Sequence, residues 1–273
     1  MDGLEFSRSI ATGGMLNVFV GRTCEQMALF GIQENLNFLR KRDVQRLENW
    51  AHNASAKPSP MLDAVEIERK GLRHFYDGCF TASANDLGWT GVIGGEMLRT
   101  LHDMPQARRE DIYRRYFMRF EAPWSALKHQ LSRPESRWLS PVKVEDFIEG
   151  DPPQGDIDGK TMTAMMGLLK LEAEIGANDV NVSTICQSAL SIRVQERILV
   201  VTCAVQSFRL ARGRPPKSLK EVFGTEPRDP ATQKPYGYEP SREGPFRVYC
   251  TVKGIGEIDL RKVGTTATPN PAP

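Results

Sequence analysis

The chain has 273 residues, of which 40% are hydrophobic and 26% charged, and its formal net charge at pH 7 is +2. This is the composition of a globular protein with room for a sizeable core, as one large domain or two ordinary ones. The small net charge argues neither for nor against an acidic partner. No run reaches the roughly 18 to 20 apolar residues that a bilayer-spanning helix needs, and no basic stretch followed by an apolar run marks a signal peptide after Met1.

Apolar periodicity predicts helices at 4–39, broken near Gly13-Gly14 or Gly31, and at 43–54, 60–80, 105–121 and 123–132. Residues 81–104 are Gly-rich, and Gly91-Val92-Ile93-Gly94-Gly95 lacks the flanking strand and the Lys-Ser/Thr of a phosphate loop. In the 108–137 segment, Arg108, Arg109, Arg114, Arg115, Arg119, Lys128, His129, Arg133 and Arg137 are interleaved with Tyr113, Tyr116, Phe117, Phe120 and Trp124, with Trp138 just beyond. Such a mixture can hold phosphates and stack bases. The helical spacing of Tyr113, Tyr116, Phe117 and Phe120 favours a buried aromatic face with solvated arginines opposite, so nucleic acid is not the expected partner.

Ser132 to Lys160, carrying Pro134, Pro141, Pro152 and Pro153, reads as a long connection pinned to the helical body by Trp138, Leu139, Phe147 and Ile148. Its Asp151, Asp156, Asp158 and Gly159 invite comparison with a calcium loop. Gln154 falls at the first ligand position and Met165 at the twelfth, so the bidentate carboxylate is missing and a solvated acidic linker is expected. A helix at 160–176 follows, then a long one at 182–212 with Ile192, Val194, Ile198, Leu199, Val201, Thr202, Val205, Phe208 and Leu210 making a broad apolar face between Arg193, Gln195, Glu196, Arg197 and Gln206.

This long helix is expected to stop at Gly213, which can take the left-handed conformation, with Arg209, Arg212 and Arg214 favouring the negative end of the dipole. Ser218-Leu219-Lys220-Glu221 has the form of a capping box opening a short helix. Asp229-Pro230, Lys234-Pro235 and Glu239-Pro240 mark an ordered loop with a Tyr236-Gly237-Tyr238 strand in it, and Phe246 to Val252 alternates as a second antiparallel strand.

Gly213, Pro216, Ser218, Leu219, Asp229, Pro230, Thr232, Lys234, Pro235, Tyr236 and Tyr238 together resemble the C-terminal region of type II secretion pseudopilins. In that family a helix leads through a G-x-x-P-x-S-L turn and a D-P-x-T-x-K-P-Y-x-Y loop into a small antiparallel sheet. Val252 to Asp259 holds too few carboxylates for the calcium loop of the major pseudopilins, and their apolar N-terminal helix has no counterpart here. The remainder is similar in pattern to uncharacterised, planctomycete-like bacterial proteins in which the same tail closes a helical region behind a single membrane anchor. Ser9 to Leu16 with Val20-Gly21, Leu36 to Leu39, Asp43 to Leu47 and Ala64 to Arg69 carry that similarity. It implies an anchor and first helices upstream, and an extracytoplasmic location.

Five cysteines, Cys24, Cys79, Cys186, Cys203 and Cys250, include no C-x-x-C pair and read as buried reduced thiols. Cys203 and Cys250 could pair if the sheet packs on the long helix. His52, His74, His102 and His129 lie in separate segments without metal spacing, and Ser183, Ser188 and Ser191 lack a nucleophile-elbow context. No cofactor or metal is expected.

The expected fold is mainly α: a helical body over 1–131, a Pro-rich connection over 132–160, long helices and a small antiparallel β appendage packed on the long helix over 161–263, and a disordered terminus over 264–273. The leading function is a non-enzymatic envelope protein acting by contact with other envelope proteins, in a secretion- or pilus-like assembly. The alternatives are a hydrolase or small-ligand-binding protein with a site assembled from dispersed residues, around Glu34, Glu68, His74, Tyr76 and Asp77, and nucleic-acid binding through 108–137.

Overall fold

Helices account for most of the residues that the computed structural model describes, which are 2–81, 101, 103–148, 158–159, 161–162, 166, 181–229, 231–240, 246–251 and 257–259. In chain order they are α1 (Asp2–Ile10), α2 (Met15–Asn35), α3 (Lys41–Ala56), α4 (Pro60–Thr81), α5 (Gln106–Ser132), α6 (Val182–Arg212) and α7 (Leu219–Phe223). Strands β1 (Gly237–Pro240), β2 (Phe246–Tyr249) and β3 (Glu257–Asp259) complete a mainly α protein with a small antiparallel sheet at its C-terminal end. Most of the Gly-rich 81–104 segment, of the acidic linker and of the 160–176 helix lies outside the described residues, as does the 264–273 terminus. The chain forms two units, one made of Met1–Ala64, Arg133–Leu139 and Cys186–Pro273, the other of Val65–Ser132 and Ser140–Ile185.

In the first unit α1 and α2 form a hairpin that turns at Gly13, whose φ of +113° favours glycine. α2 then runs through Gly31 without a break. Small residues make the hairpin close: a Cβ added at Gly21 would sit 2.5 Å from the Ser7 carbonyl oxygen, and one at Gly3 would sit 3.3 Å from the Ala28 Cβ. Gly21→Val is therefore expected to push the two backbones apart and cost about 1–3 kcal/mol, read as a lower urea midpoint. An unchanged midpoint would show that the hairpin has slack.

α3 buries Val44, Leu47, Trp50, Ala51 and Ala54 along one stripe. Ser59 caps α4, its Oγ accepting the Met61 N–H at 3.3 Å, and Pro60 occupies the first turn where its missing N–H costs nothing. α6 ends as its sequence implies, with Gly213 at φ +70° and its N–H on the Arg209 carbonyl at 2.8 Å.

Neither bond of the expected capping box forms. Ser218 makes no side-chain cap bond, whereas the Glu221 carboxylate accepts the Lys217 N–H at 2.7 Å and the Arg214 guanidinium at 2.6 Å. Glu221 thus accepts one residue earlier than a capping box requires, and Arg214 holds its carboxylate there.

In the sheet, ordered β1-β2-β3, Gly237 pairs with Tyr249 and Tyr238 with Val248. The Tyr249 ring occupies the space where a Gly237 Cβ would stand, which explains the glycine between two tyrosines. Phe246, Val248 and Cys250 alternate inward and are buried. Cys203 and Cys250 are both free thiols, so the pairing that the tail packing would allow is not formed.

In the second unit, α5 is one helix where two were expected, and Pro123 lies inside it. Pro123 cannot donate to the turn before it, yet Ala122, Trp124, Ala126 and Leu127 are all buried, and that burial carries the helix across the lost bond. The connection after it is held by the Gln130 side-chain amide on the Ser140 carbonyl at 2.8 Å and by His129 against the Phe147 ring. Leu139 and Ile148, expected to pin it, are exposed, while Trp138 is buried within the first unit with its indole N–H on the Arg133 carbonyl.

Candidate functional site

The first unit contains a cavity of about 320 Å³ assembled from segments far apart in sequence. α1 supplies Ser7 and Arg8, α2 supplies Val18, Arg22 and Glu25, the α3–α4 junction supplies Lys57, Pro58, Pro60 and Asp63, and α6 supplies Ile192 and Glu196. The close hairpin fixes the first two groups relative to each other. Arg22 and Glu25 then fall three residues apart, on the same face of α2.

Glu196 is 2% exposed and takes the Arg8 guanidinium on one oxygen and the Arg193 guanidinium on the other, the latter at 3.0 Å. Arg8 also lies over the Trp50 ring at 5.3 Å. Burial raises the Glu196 carboxyl in spite of both cations. Arg22 donates to the Ser188 carbonyl at 2.5 Å and the Ser191 hydroxyl at 3.2 Å and has no carboxylate within ion-pair distance among the described residues. Burial lowers its affinity for the proton, with Glu25 opposing. Glu25 is 9% exposed, its Oε1 is buried without a hydrogen-bond partner, and burial followed by the Glu196 charge pushes it up to about 7.

From the cavity a line of buried and half-buried charges leads to the tail. Arg193 bonds Glu135 at 2.9 Å, Glu135 holds Arg197 at 2.5 Å, and Arg197 reaches Asp229 at 3.7 Å. The buried Asp229 accepts the backbone N–H groups of Ala231 and Thr232, each at 3.2 Å, and this turn fixes the loop that the tail motif encodes. Of the other motif residues, Pro216, Leu219 and Tyr236 are buried, and the Tyr238 hydroxyl donates to the Pro216 carbonyl at 2.8 Å, pinning β1 to the helix-ending turn. Thr232 Oγ1 accepts the Lys234 N–H, Pro235 bridges to Arg228, and Pro230 lies outside the described residues. The motif thus builds the fold of the tail.

The dispersed polar set is divided between the two units. Glu34 belongs to the first unit and Glu68, His74, Tyr76 and Asp77 to the second. The side chains of Glu34 and Tyr76 lie outside the described residues; Glu68 is half-buried, His74 is exposed and Asp77 accepts the Tyr113 hydroxyl.

In the basic-aromatic segment, Arg108 pairs with Asp158 at 3.2 Å, Arg115 with Asp111 at 3.0 Å, and Lys128 with Glu66 at 3.0 Å. Hydrogen bonds from Arg69 and Lys128 hold the Glu66 carboxyl down at about 2. Asp158, from the acidic linker, accepts the Thr161 N–H at 2.7 Å as a helix cap. The described residues include no cluster of three or more His, Cys, Asp or Glu side chains placed to hold a metal ion.

No protein-family model matches the chain, and no curated protein and no solved structure matches it. Sequence reading missed the cavity because its charged residues occupy four separate segments. Arg193, Glu196 and Arg197 stood in the sequence among the polar residues that border the apolar face of α6, with nothing local to mark them as buried.

Proposed function

We propose that the protein works by contact with other proteins, and that the contact surface is the outer face of α2. Leu16, Met27 and Phe30 are 73%, 71% and 63% exposed there, with Val20, Thr23 and Phe19 also exposed between them. Leu16, Val20, Thr23, Met27 and Phe30 follow a four-three-four-three spacing, the seam by which one helix receives another. The hairpin creates this face, because small residues fill the α1–α2 contact and the large apolar ones point away from it. An uncharged apolar stripe of this length on one helix is a recognition surface. The occupant we assign is an apolar-faced helix of another envelope protein, a setting supported by the resemblance of the tail to pseudopilins and by the helical proteins that share it.

The test is site-specific photo-crosslinking in the native cell from positions 16, 27 and 30, with Lys220 as an exposed control. One shared protein adduct from the three stripe positions, lost when Met27→Glu is combined with Leu16→Glu, is the expected outcome. Because both residues are exposed, that pair should change folding stability by no more than about 0.5 kcal/mol each. Adducts no more specific than those from the control position would remove the reading.

A further inference from the structure

We propose that the cavity of the first unit binds a small zwitterion of the amino-acid class, its ammonium seated on Glu25, its carboxylate on Arg22 and its apolar side chain against Val18 and Ile192. The inference is independent of the α2 contact face and rests on an anion with an unpartnered oxygen and a cation without an ion-pair partner among the described residues, both lining one cavity. Arg8 and Glu196 already pair with each other across the cavity. Among the other charged groups lining the space, Lys57 and Asp63 included, Arg22 has no carboxylate within ion-pair distance among the described residues and Glu25 has a buried oxygen that accepts nothing. An oxygen of a group 9% exposed cannot be served by bulk water, and leaving a buried acceptor unpaired is costly.

The geometry selects both ends of the ligand. A guanidinium has five N–H donors, and Arg22 commits two of its nitrogens to Ser188 and Ser191, an arrangement that fixes its plane and leaves N–H groups for a carboxylate. Glu25 stands one turn further along α2, and a molecule with its charges separated by a single carbon can bridge neighbouring groups of this kind. A simple amine would gain Glu25 but meet Arg8 and Arg22, and a simple carboxylate would gain Arg22 but meet Glu25 and Glu196. Only a ligand with both charges leaves each protein charge opposed. A volume of about 320 Å³ is at the small end of ligand cavities, and the Val18, Pro58, Pro60 and Ile192 walls suit an aliphatic side chain.

The groups facing Glu25 are Arg8 from α1, Arg22 from α2 and Glu196 from α6, with Lys57 and Asp63 elsewhere on the cavity lining. With its carboxyl near 7, Glu25 is mostly neutral at pH 6 and mostly ionised at pH 8, so an ammonium should bind about tenfold more tightly at pH 8.

Isothermal titration calorimetry on the whole chain with three probes tests this: L-leucine, 3-methylbutylamine and 4-methylpentanoate, which carry both charges, only the cation and only the anion. L-Leucine should bind at least about tenfold more tightly than either single-charge analogue, and both Glu25→Gln and Arg22→Gln should weaken it by about tenfold or more. Circular dichroism and thermal melts confirm that the variants are folded. No heat from L-leucine at millimolar concentration, equal binding of either single-charge analogue, or unchanged L-leucine binding by folded Glu25→Gln would each overturn the proposal.

Discussion

Replacing Arg193 by methionine is expected to lower the unfolding free energy by about 3–5 kcal/mol, the range for removing one partner of a buried ion pair. Arg193 is 6% exposed and serves four acceptors: Glu135 at 2.9 Å, Glu196 at 3.0 Å, and the Ala54 and Ser55 carbonyls at 3.1 and 2.5 Å. Two of these are carboxylates, and the other two are carbonyls in the last turn of α3, where Ala54 otherwise receives the Lys57 N–H at 3.3 Å. Methionine keeps much of the volume and none of the donors, so the loss reads out as charge and hydrogen bonding with little change in packing. Arg193→Lys should fall between, because a single ammonium cannot span acceptors arranged for a planar fork. Removing Glu196 as well, as Arg193→Met with Glu196→Gln, should recover part of the loss, since the stranded carboxylate goes with it. A guanidinium chloride midpoint for Arg193→Met within about 0.5 kcal/mol of the parent would mean that water reaches these groups.

The same residue shows where sequence reading stops. The bounds of α6 and its glycine stop were legible because the information is local: an apolar repeat, a cluster of arginines and a residue able to take positive φ. The Asp229 turn was legible for the same reason, since its acceptor and donors lie within three residues. Arg193 and Glu196 stood in the sequence as polar residues among apolar ones, which normally marks the solvated face of a helix. In the structure Ala189, Leu190, Ile192, Val194, Ile198 and Leu199 are buried around α6 and the charges are buried with them. Their partners come from 1–64 and 133–139, and no local pattern links such positions.

The cavity was illegible for a related reason. Arg8 and Glu196 are separated by 188 positions, and the close approaches at Gly3 and Gly21 bring α1 and α2 together so that Arg8, Arg22 and Glu25 line one space. The periodicity of α2 was read correctly as helical, but it cannot say which of two apolar faces will be covered. Small residues took the contact, and the large ones were left outside.

Glu25→Gln is expected to stabilise the protein at pH 8 by an amount approaching 3 kcal/mol and at pH 5 by less than about 1 kcal/mol. The folded-state carboxyl titrates near 7 against 4.5 in the unfolded chain, so between those values the folded state holds a proton that the unfolded state has released. Stability conferred by that proton is therefore full below about 4.5, falls as pH rises towards 7 and is gone above it. At about 1.4 kcal/mol per pH unit across the interval the loss is roughly 3 kcal/mol, and a glutamine, which never ionises, escapes it. Urea midpoints of parent and variant at pH 5 and pH 8 measure the difference, and equal midpoints at pH 8 would show that Glu25 is solvated. The penalty at pH 8 comes from a buried anion without a full complement of partners, which is what a bound ammonium would supply. L-Leucine should then raise the midpoint of the parent at pH 8, where Glu25 is charged, more than at pH 5, and should leave the more stable Glu25→Gln variant where it is.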